Sequence, residues 1–178
     1  ISRMESIQMN KIIDREHRIK KLKLNSEKKE YNSLNELLKD STLSLPFAPF
    51  SPSIDGATVA ANLLAGTIAL AEKNTTVAID HFSKAVATEE QMVYNEPRDW
   101  LLNPKHYLGN AYLQMKEWKK AEEVLLSDLK NNNNNIWAMS GLHTAYKMQT
   151  KTKEATALQQ QIKKAAMSAN VKITAPVL

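Results

Sequence analysis

The sequence predicts an all-α protein: an α-solenoid of about three antiparallel helical hairpins behind an N-terminal helical pair. Glycine and proline total only ten of the 178 residues, as is typical of helices joined by short turns. No alternating apolar and polar run is long enough to predict a β-strand. Small and apolar residues recur at a fixed offset in the second half of the chain, which indicates stacked helical repeats.

Residues 1–40 predict the N-terminal helical pair, with a break near Asn25 and Ser26. A degenerate repeat is one interpretation of this pair. Apolar residues recur at helical spacing on each side of the break. They are Met9, Ile12, Ile13 and Ile19 in the first helix, and Tyr31, Leu34, Leu37 and Leu38 in the second.

Residues 41–56 predict an extended linker, because proline fixes φ and has no backbone N–H to donate. The three prolines of this linker are Pro46, Pro49 and Pro52. Residues 57–166 hold the repeats, and residues 167–178 form a short C-terminal tail that we expect to be extended.

The repeat is measured by the distance between equivalent small residues. From Ala121 to Ala155 the offset is 34 residues, and from Ala78 to Ala121 it is 43, which is nine more. The extra residues fall around Glu90 to Trp100. Gly66 and Gly109 each precede one of these alanines by twelve residues, so we expect glycine and alanine to face each other where the two helices of a hairpin cross.

Polar residues predict where helices begin and end. Asn103 before Pro104 is typical of an N-cap followed by proline at the first helical position. The Asn131–Asn135 run predicts a turn, because asparagine tolerates left-handed backbone and caps helices. We also expect capping at three more places: Asp55, one of Thr75 and Thr76, and Thr152.

The string LGNAY at Leu108–Tyr112, followed by Ala121 and Leu125, resembles the signature of the tetratricopeptide repeat family, and the resemblance covers residues 57–166. The inserted YNEPRDW at Tyr94–Trp100 is similar to an insertion of a bacterial subgroup of that family. The resemblance implies a superhelix of hairpins with no enzymatic activity. Its implied partner is a protein or peptide segment bound in the concave groove.

The resemblance also implies which residues line the groove, namely those on the first helix of each pair. An asparagine at the position of Asn110 hydrogen-bonds the backbone of a bound peptide in some members of the family. The full set implied here is Leu63, Thr67, Asn103, His106, Asn110, Leu113, Trp137, Ser140, Thr144 and Lys147, together with Tyr94, Glu96 and Trp100 in the inserted loop.

The third repeat departs from the pattern. His143 stands twelve residues before Ala155, where the family usually has a small residue. Either Gly141, two residues earlier, takes over the close approach, or the last hairpin splays.

Composition argues against several classes of function. The net charge is +5, and the one basic cluster, Arg15–Lys23, is diluted by Asp14 and Glu16, so we expect no nucleic-acid partner. Cysteine is absent, and no unbroken run of about 18 apolar residues predicts a membrane span. The four histidines lack the spacing of metal ligands, so no metal or cofactor is expected. A hydrolase that uses Glu96 and His106 lacks supporting geometry.

The sequence therefore predicts a non-catalytic interaction scaffold. The alternative is a structural spacer or oligomerisation platform, accessory to an upstream domain. The chain begins at Ile1 without methionine, so we expect a longer protein, in either the cytoplasm or the periplasm, and a homo-oligomer is left open.

Overall fold

The computed structural model describes residues 3–46, 48–93, 102–166 and 175–177, with side chains from residue 20 onward. In these segments the chain forms α-helices, one short 3₁₀ helix and no strand, so the predicted all-α class is confirmed. The helices are α1 (Arg3–Leu37), α2 (Ser53–Ala71), α3 (Thr75–Gln91), α4 (Pro104–Gln114), α5 (Trp118–Asn131), α6 (Ile136–Met148) and α7 (Thr152–Ala166).

The predicted break in the N-terminal helical pair is wrong, because α1 is one helix of 35 residues that passes through Asn25 and Ser26. Each of these residues costs a helix only about 0.5 kcal/mol relative to alanine, and the flanking lysine, glutamate and leucine residues are strong helix formers. An ion pair from Lys28 to Glu72, the C-cap of α2, joins α1 to the rest of the fold.

The linker is shorter and less extended than predicted. A 3₁₀ helix spans Ser41–Ser44, and the side chain of Asp40 caps it by accepting from Thr42 N. Helix α2 begins at Ser53, directly after Pro52, so Asp55 lies in its first turn and is not its N-cap.

Helices α2 to α7 form three helix pairs whose turns share one geometry. Each turn is three residues long and holds one residue with left-handed backbone: Lys73 (φ 63°), Lys116 (φ 61°) and Thr150 (φ 59°). These residues are 43 and 34 positions apart, which matches the offsets measured in the sequence. The three predicted hairpins are present, and their tetratricopeptide-like superhelical arrangement stays a prediction.

Backbone hydrogen bonds repeat at the same offsets. The N–H groups of Asn74, Glu117 and Lys151 each donate to a carbonyl five residues earlier, at Ala69, Tyr112 and Tyr146. The left-handed residue before each of them donates to a carbonyl three residues earlier. This pair of bonds is the Schellman motif, which satisfies the last carbonyls of a helix.

Asparagines cap several helices. Asn103 accepts from Lys105 N as predicted, whereas α3 is capped by Asn74 and not by Thr75 or Thr76. The predicted turn at Asn131–Asn135 is confirmed, since Asn132 is the C-cap of α5 and Asn135 the N-cap of α6.

The buried side chains form two clusters. In the first, helices α2, α3 and α4 surround Phe82, and in the second, helices α5, α6 and α7 pack around Leu125. Their buried members are Val59, Leu63, Ala69, Ala78, Phe82, Ala85, Leu108 and Ala111, then Leu125, Ala138, Met139, Leu142 and Leu158.

The helix crossings depend on glycine, but its close neighbour is not the predicted alanine. A Cβ at Gly66 would lie 2.3 Å from the ring of Phe82, and one at Gly109 would lie 2.8 Å from Leu125 Cδ2. The large side chain sits one helical turn after Ala78 or Ala121, on the same helix face. The glycine therefore makes room for an aromatic ring or a leucine.

Helix α2 qualifies by length and composition to cross a membrane, with a mean hydropathy of 1.5 over its 18-residue window. Helix α2 contains no unbroken apolar run, because Thr58, Asn62 and Thr67 interrupt it, so the sequence did not predict this property. A core helix passes the same test, and 39% of this window is buried inside the protein. The expectation of no membrane span stays a prediction.

Candidate functional site

The first helices of the pairs, α2, α4 and α6, pack side by side and carry the predicted groove positions. Several of those side chains are half-buried and reach the surface, and Lys147 is exposed. The half-buried ones on α4 and α6 are Asn110, Leu113, Trp137 and Thr144.

Two predicted groove residues, half-buried Asn103 and buried His106, belong to one polar cluster around Asp128. His106 is 8% exposed, and its Nε2 lies 2.9 Å from Asp128 Oδ2. The side chain of Asn103 donates to Asp128 Oδ1 at 2.5 Å, and Asn132 donates to the same oxygen at 2.5 Å. Because an ionised carboxylate only accepts, the Nε2 of His106 is the donor. These side chains tie the start of α4 to the end of α5.

Asp128 holds this cluster together from a site where it is 1% exposed. Burial by itself raises the pKa of a carboxyl group, because the charged form loses its hydration. The hydrogen bonds from His106, Asn132 and Asn103 outweigh that effect, so the pKa of Asp128 lies below its ordinary value of 3.8. The carboxylate is thus held ionised by fixed donors.

Other predicted groove residues also point inward or bond to their own helix. Leu63 (4% exposed) and Ser140 (7% exposed) are buried, so their side chains are not available to a partner. The hydroxyls of Thr67 and Thr144 donate to the carbonyls of Leu63 and Ser140. Buried Leu63 and Ser140 are therefore not groove residues, whereas Thr67 and Thr144 are half-buried.

Lys105 is a buried cation that sequence patterns did not single out. It is 7% exposed, with Nζ 2.9 Å from Glu90 Oε1 and 3.2 Å from Ser127 Oγ. Both partners are distant in sequence, and only its place beside a predicted cap hinted at a structural role. It joins the end of α3 to α5 across the start of α4.

The third pair has an open cleft of about 280 Å³ where the first two pairs have a glycine against a large side chain. Burial, and next the charge of Lys147, lower the pKa of His143 from its ordinary value of 6.5. The residues around this cleft are His143 and Lys147 on α6, and Thr152, Ala155, Thr156 and Gln159 on α7. The cleft lies between α6 and α7 beside His143.

Gly141 makes a different close approach from the one expected. A Cβ at this position would lie 2.8 Å from Leu125 Cδ1, on α5, and 3.0 Å from Pro176 Cγ, in the C-terminal tail. It therefore does not replace His143 at the crossing with α7. The five consecutive residues Ala138–Leu142 are all buried, so this stretch of α6 is covered on every side.

A polar junction links the second and third pairs. Both carboxylate oxygens of Glu122 lie 2.6 Å from Lys151 Nζ, and Oε2 also accepts from Gln149 Nε2 at 2.6 Å. Lys151 also lies over the ring of Tyr146. Because Glu122 is on α5 and its partners are in the turn after α6, this junction fixes one pair against the next.

Several expectations lie beyond the described residues. Tyr94, Glu96 and Trp100 of the inserted loop fall outside them, so the suggested pairing of Glu96 with His106 is not described. Across residues 20–46, 48–93, 102–166 and 175–177, no group of three or more His, Cys, Asp or Glu side chains is placed to hold a metal ion.

Comparison of the chain with protein-family models, with curated proteins and with solved structures gives no match.

Proposed function

We propose that this chain is a non-catalytic scaffold that binds a peptide or protein segment along the first helices of its three pairs. Support comes from the row α2, α4 and α6, in which successive first helices touch each other. A linear partner could contact all three helices at once, which is how repeat proteins obtain extended binding surfaces.

A polar side chain on this row of helices, unpaired among the described residues, favours a peptide as the partner. Asn110 is half-buried, and its side-chain amide makes no hydrogen bond to any residue in the described part of the chain. An amide offers one donor and one acceptor, which matches the backbone of an extended strand. Trp137 supplies the half-buried aromatic surface that anchors many interfaces.

The test is a quantitative pull-down with the wild-type chain and the double variant Asn110→Ala/Trp137→Ala. We expect partners captured by the wild type to be recovered at least about tenfold less with the variant, because hot-spot truncation costs 2 kcal/mol or more. A matched control changes Lys119 and Lys153 to alanine, since both side chains are exposed on second helices. Equal recovery with both double variants would overturn the groove proposal.

A second candidate, a spacer or oligomerisation platform, is favoured by α1. This helix is 35 residues long, and Leu22 and Leu37 on it are each 62% exposed. Sedimentation of the wild type and of Leu22→Glu/Leu37→Glu separates the two candidates. A concentration-dependent dimer that the glutamates abolish supports the platform, and a monomer in both cases removes it.

A further inference from the structure

Residues 175–177 of the C-terminal tail pack on α6 of the third helix pair. Pro176 is buried, and its neighbours Ala175 and Val177 are half-buried. The contact is at Gly141, where an added Cβ would lie 3.0 Å from Pro176 Cγ and 3.1 Å from its Cβ.

The chemistry of Gly141 and Pro176 suits a binding site for a short extended segment, called the seat below. Glycine removes the side chain from α6, so the tail approaches the helix closely there. Proline has no N–H to leave unsatisfied on burial, and its fixed φ lowers the entropy cost of ordering the segment. Ala138–Leu142 are buried on all sides with the tail in place.

The seat also lies among the predicted groove positions. Gly141 directly follows Ser140 on α6, and Trp137 and Thr144 lie one turn before and after that pair. The tail thus sits on the same first helix that the proposed function assigns to a partner.

We infer that the tail is a built-in competitor: Ala175–Val177 occupies a seat on α6 for short apolar, proline-containing segments, and a partner with such a segment must displace it. This inference rests on the proposed function for its biological role. The seat itself is defined by the close approach of Pro176 to Gly141.

The test adds the tail as a separate peptide to a chain that lacks it. A chain that ends at Thr174 is titrated with a synthetic peptide of residues 171–178, and binding is followed by amide chemical-shift changes. We expect saturable shifts centred on Ala138–Leu142. A tethered segment has an effective concentration in the millimolar range, so the full chain should bind the peptide at least about tenfold more weakly. Full-length Pro176→Asp should bind it like the shortened chain, which keeps the test valid if the truncation impairs folding.

Two glycine variants of the shortened chain provide a matched pair. Gly109→Ala and Gly141→Ala both crowd Leu125 at 2.8 Å, but only Gly141→Ala also fills the seat of Pro176. Gly141→Ala should lower the affinity for the peptide about tenfold or more. Gly109→Ala should leave that affinity nearly unchanged.

Three results would overturn the inference: no shifts in either shortened or Pro176→Asp chains, equal affinity in the full and shortened chains, or equal binding by the two glycine variants. None of these bears on partner capture through Asn110 and Trp137, so failure of the tail seat and failure of the groove proposal are distinguishable.

Discussion

At the scale of single residues, Asp128 is the polar centre of the fold, with three side chains donating to a carboxylate that is 1% exposed. Such a group stabilises the protein most while it is ionised, since a proton on either oxygen takes the acceptor from His106 or from the two asparagines. Its pKa is lowered by folding, so its contribution is present above its ordinary value of 3.8 and is lost as the pH falls through the folded-state pKa.

We predict that Asp128→Asn lowers the free energy of unfolding by about 1–3 kcal/mol at pH 7, because the amide keeps one acceptor oxygen and puts an NH2 donor against the buried donors in place of the other. The difference from the wild type should shrink as the pH falls below about 4, because the Asp128 carboxyl group of the unfolded wild type then binds a proton before that of the folded state. Urea unfolding at several pH values measures this. Asp80→Asn is the control, because Asp80 pairs with Lys84 on an exposed surface of α3. A pH-independent difference would contradict the assignment.

Gly66 leads to a second prediction at this scale. Gly66→Ala should destabilise the protein by about 1–3 kcal/mol, because the new methyl group overlaps the ring of Phe82 in a packed core. Gly56→Ala in the same helix is the matched control, since its Cβ would meet nothing closer than 4.0 Å. Gly56→Ala should raise the free energy of unfolding by up to about 1 kcal/mol, because alanine has the higher helix propensity. Thermal unfolding of the two variants measures the difference. Equal changes in stability would mean that Gly66 is not needed where α2 crosses α3.

The sequence identified these glycines but not their neighbours. Ala78 and Phe82 lie one turn apart on the same face of α3, so the spacing of small residues alone could not tell which one meets Gly66. His106 was placed in the groove for a similar reason. Its partner Asp128 is 22 residues away, and only the packing of α4 on α5 brings them together.

At the scale of elements, the asparagine run shows how identical residues acquire different roles. Asn135 accepts hydrogen bonds from Trp137 N and Ala138 N, whereas Asn133 is exposed in the turn. Asn134 adopts left-handed backbone, with φ 61°.

We predict that Asn135→Ala costs about 0.5–2 kcal/mol by leaving first-turn N–H groups of α6 unpaired. Asn133→Ala should be within about 0.5 kcal/mol of the wild type, as is usual for exposed substitutions. Guanidinium denaturation followed by circular dichroism measures both. Equal losses would mean that the run acts through its composition and not through a cap.

Some helix starts marked by asparagine were predictable, because capping depends on local side-chain chemistry, although the Asn74 cap of α3 was missed in favour of the threonines after it. The Asn103 cap followed from the sequence for this reason, with Pro104 as the next residue. The continuity of α1 through Asn25 and Ser26 was not predictable in the same way. Both residues are found in turns as well as in helices, and the outcome depends on the summed propensities of their neighbours.

At the scale of the whole molecule, stability depends on how each helix pair is joined to the next. Two apolar clusters divide the core, and Glu122 connects α5 to Gln149 and Lys151 in the turn before α7. In repeat proteins the interfaces between neighbouring repeats carry much of the stability.

We predict that Glu122→Ala lowers the free energy of unfolding by about 1–2 kcal/mol, because Gln149 and Lys151 lose a charged partner. Glu123→Ala, at an exposed position of the same helix, is the control. Hydrogen exchange should show the loss mainly as faster exchange in α6 and α7. An equal increase in exchange rate in all helices of the variant would mean that the junction does not separate two cooperative units.

The number of helix pairs was predictable from the 34- and 43-residue offsets, because close packing repeats the same small residues at each crossing. The seat of the tail was not. Pro176 meets Gly141 across 35 positions of sequence, and no local pattern records that contact.

The three Schellman turns have a consequence for engineering. Lys73, Lys116 and Thr150 hold a backbone conformation that glycine adopts without strain, and the branched Thr150 fits it worst. Thr150→Gly should therefore raise the melting temperature, with a gain of about 0.5–1 kcal/mol after the added flexibility of the unfolded chain is subtracted. Scanning calorimetry would detect it, and a lower melting temperature would contradict it. A glycine at Lys73 or Lys116 would relieve the same left-handed backbone in the other two turns, outside the buried core.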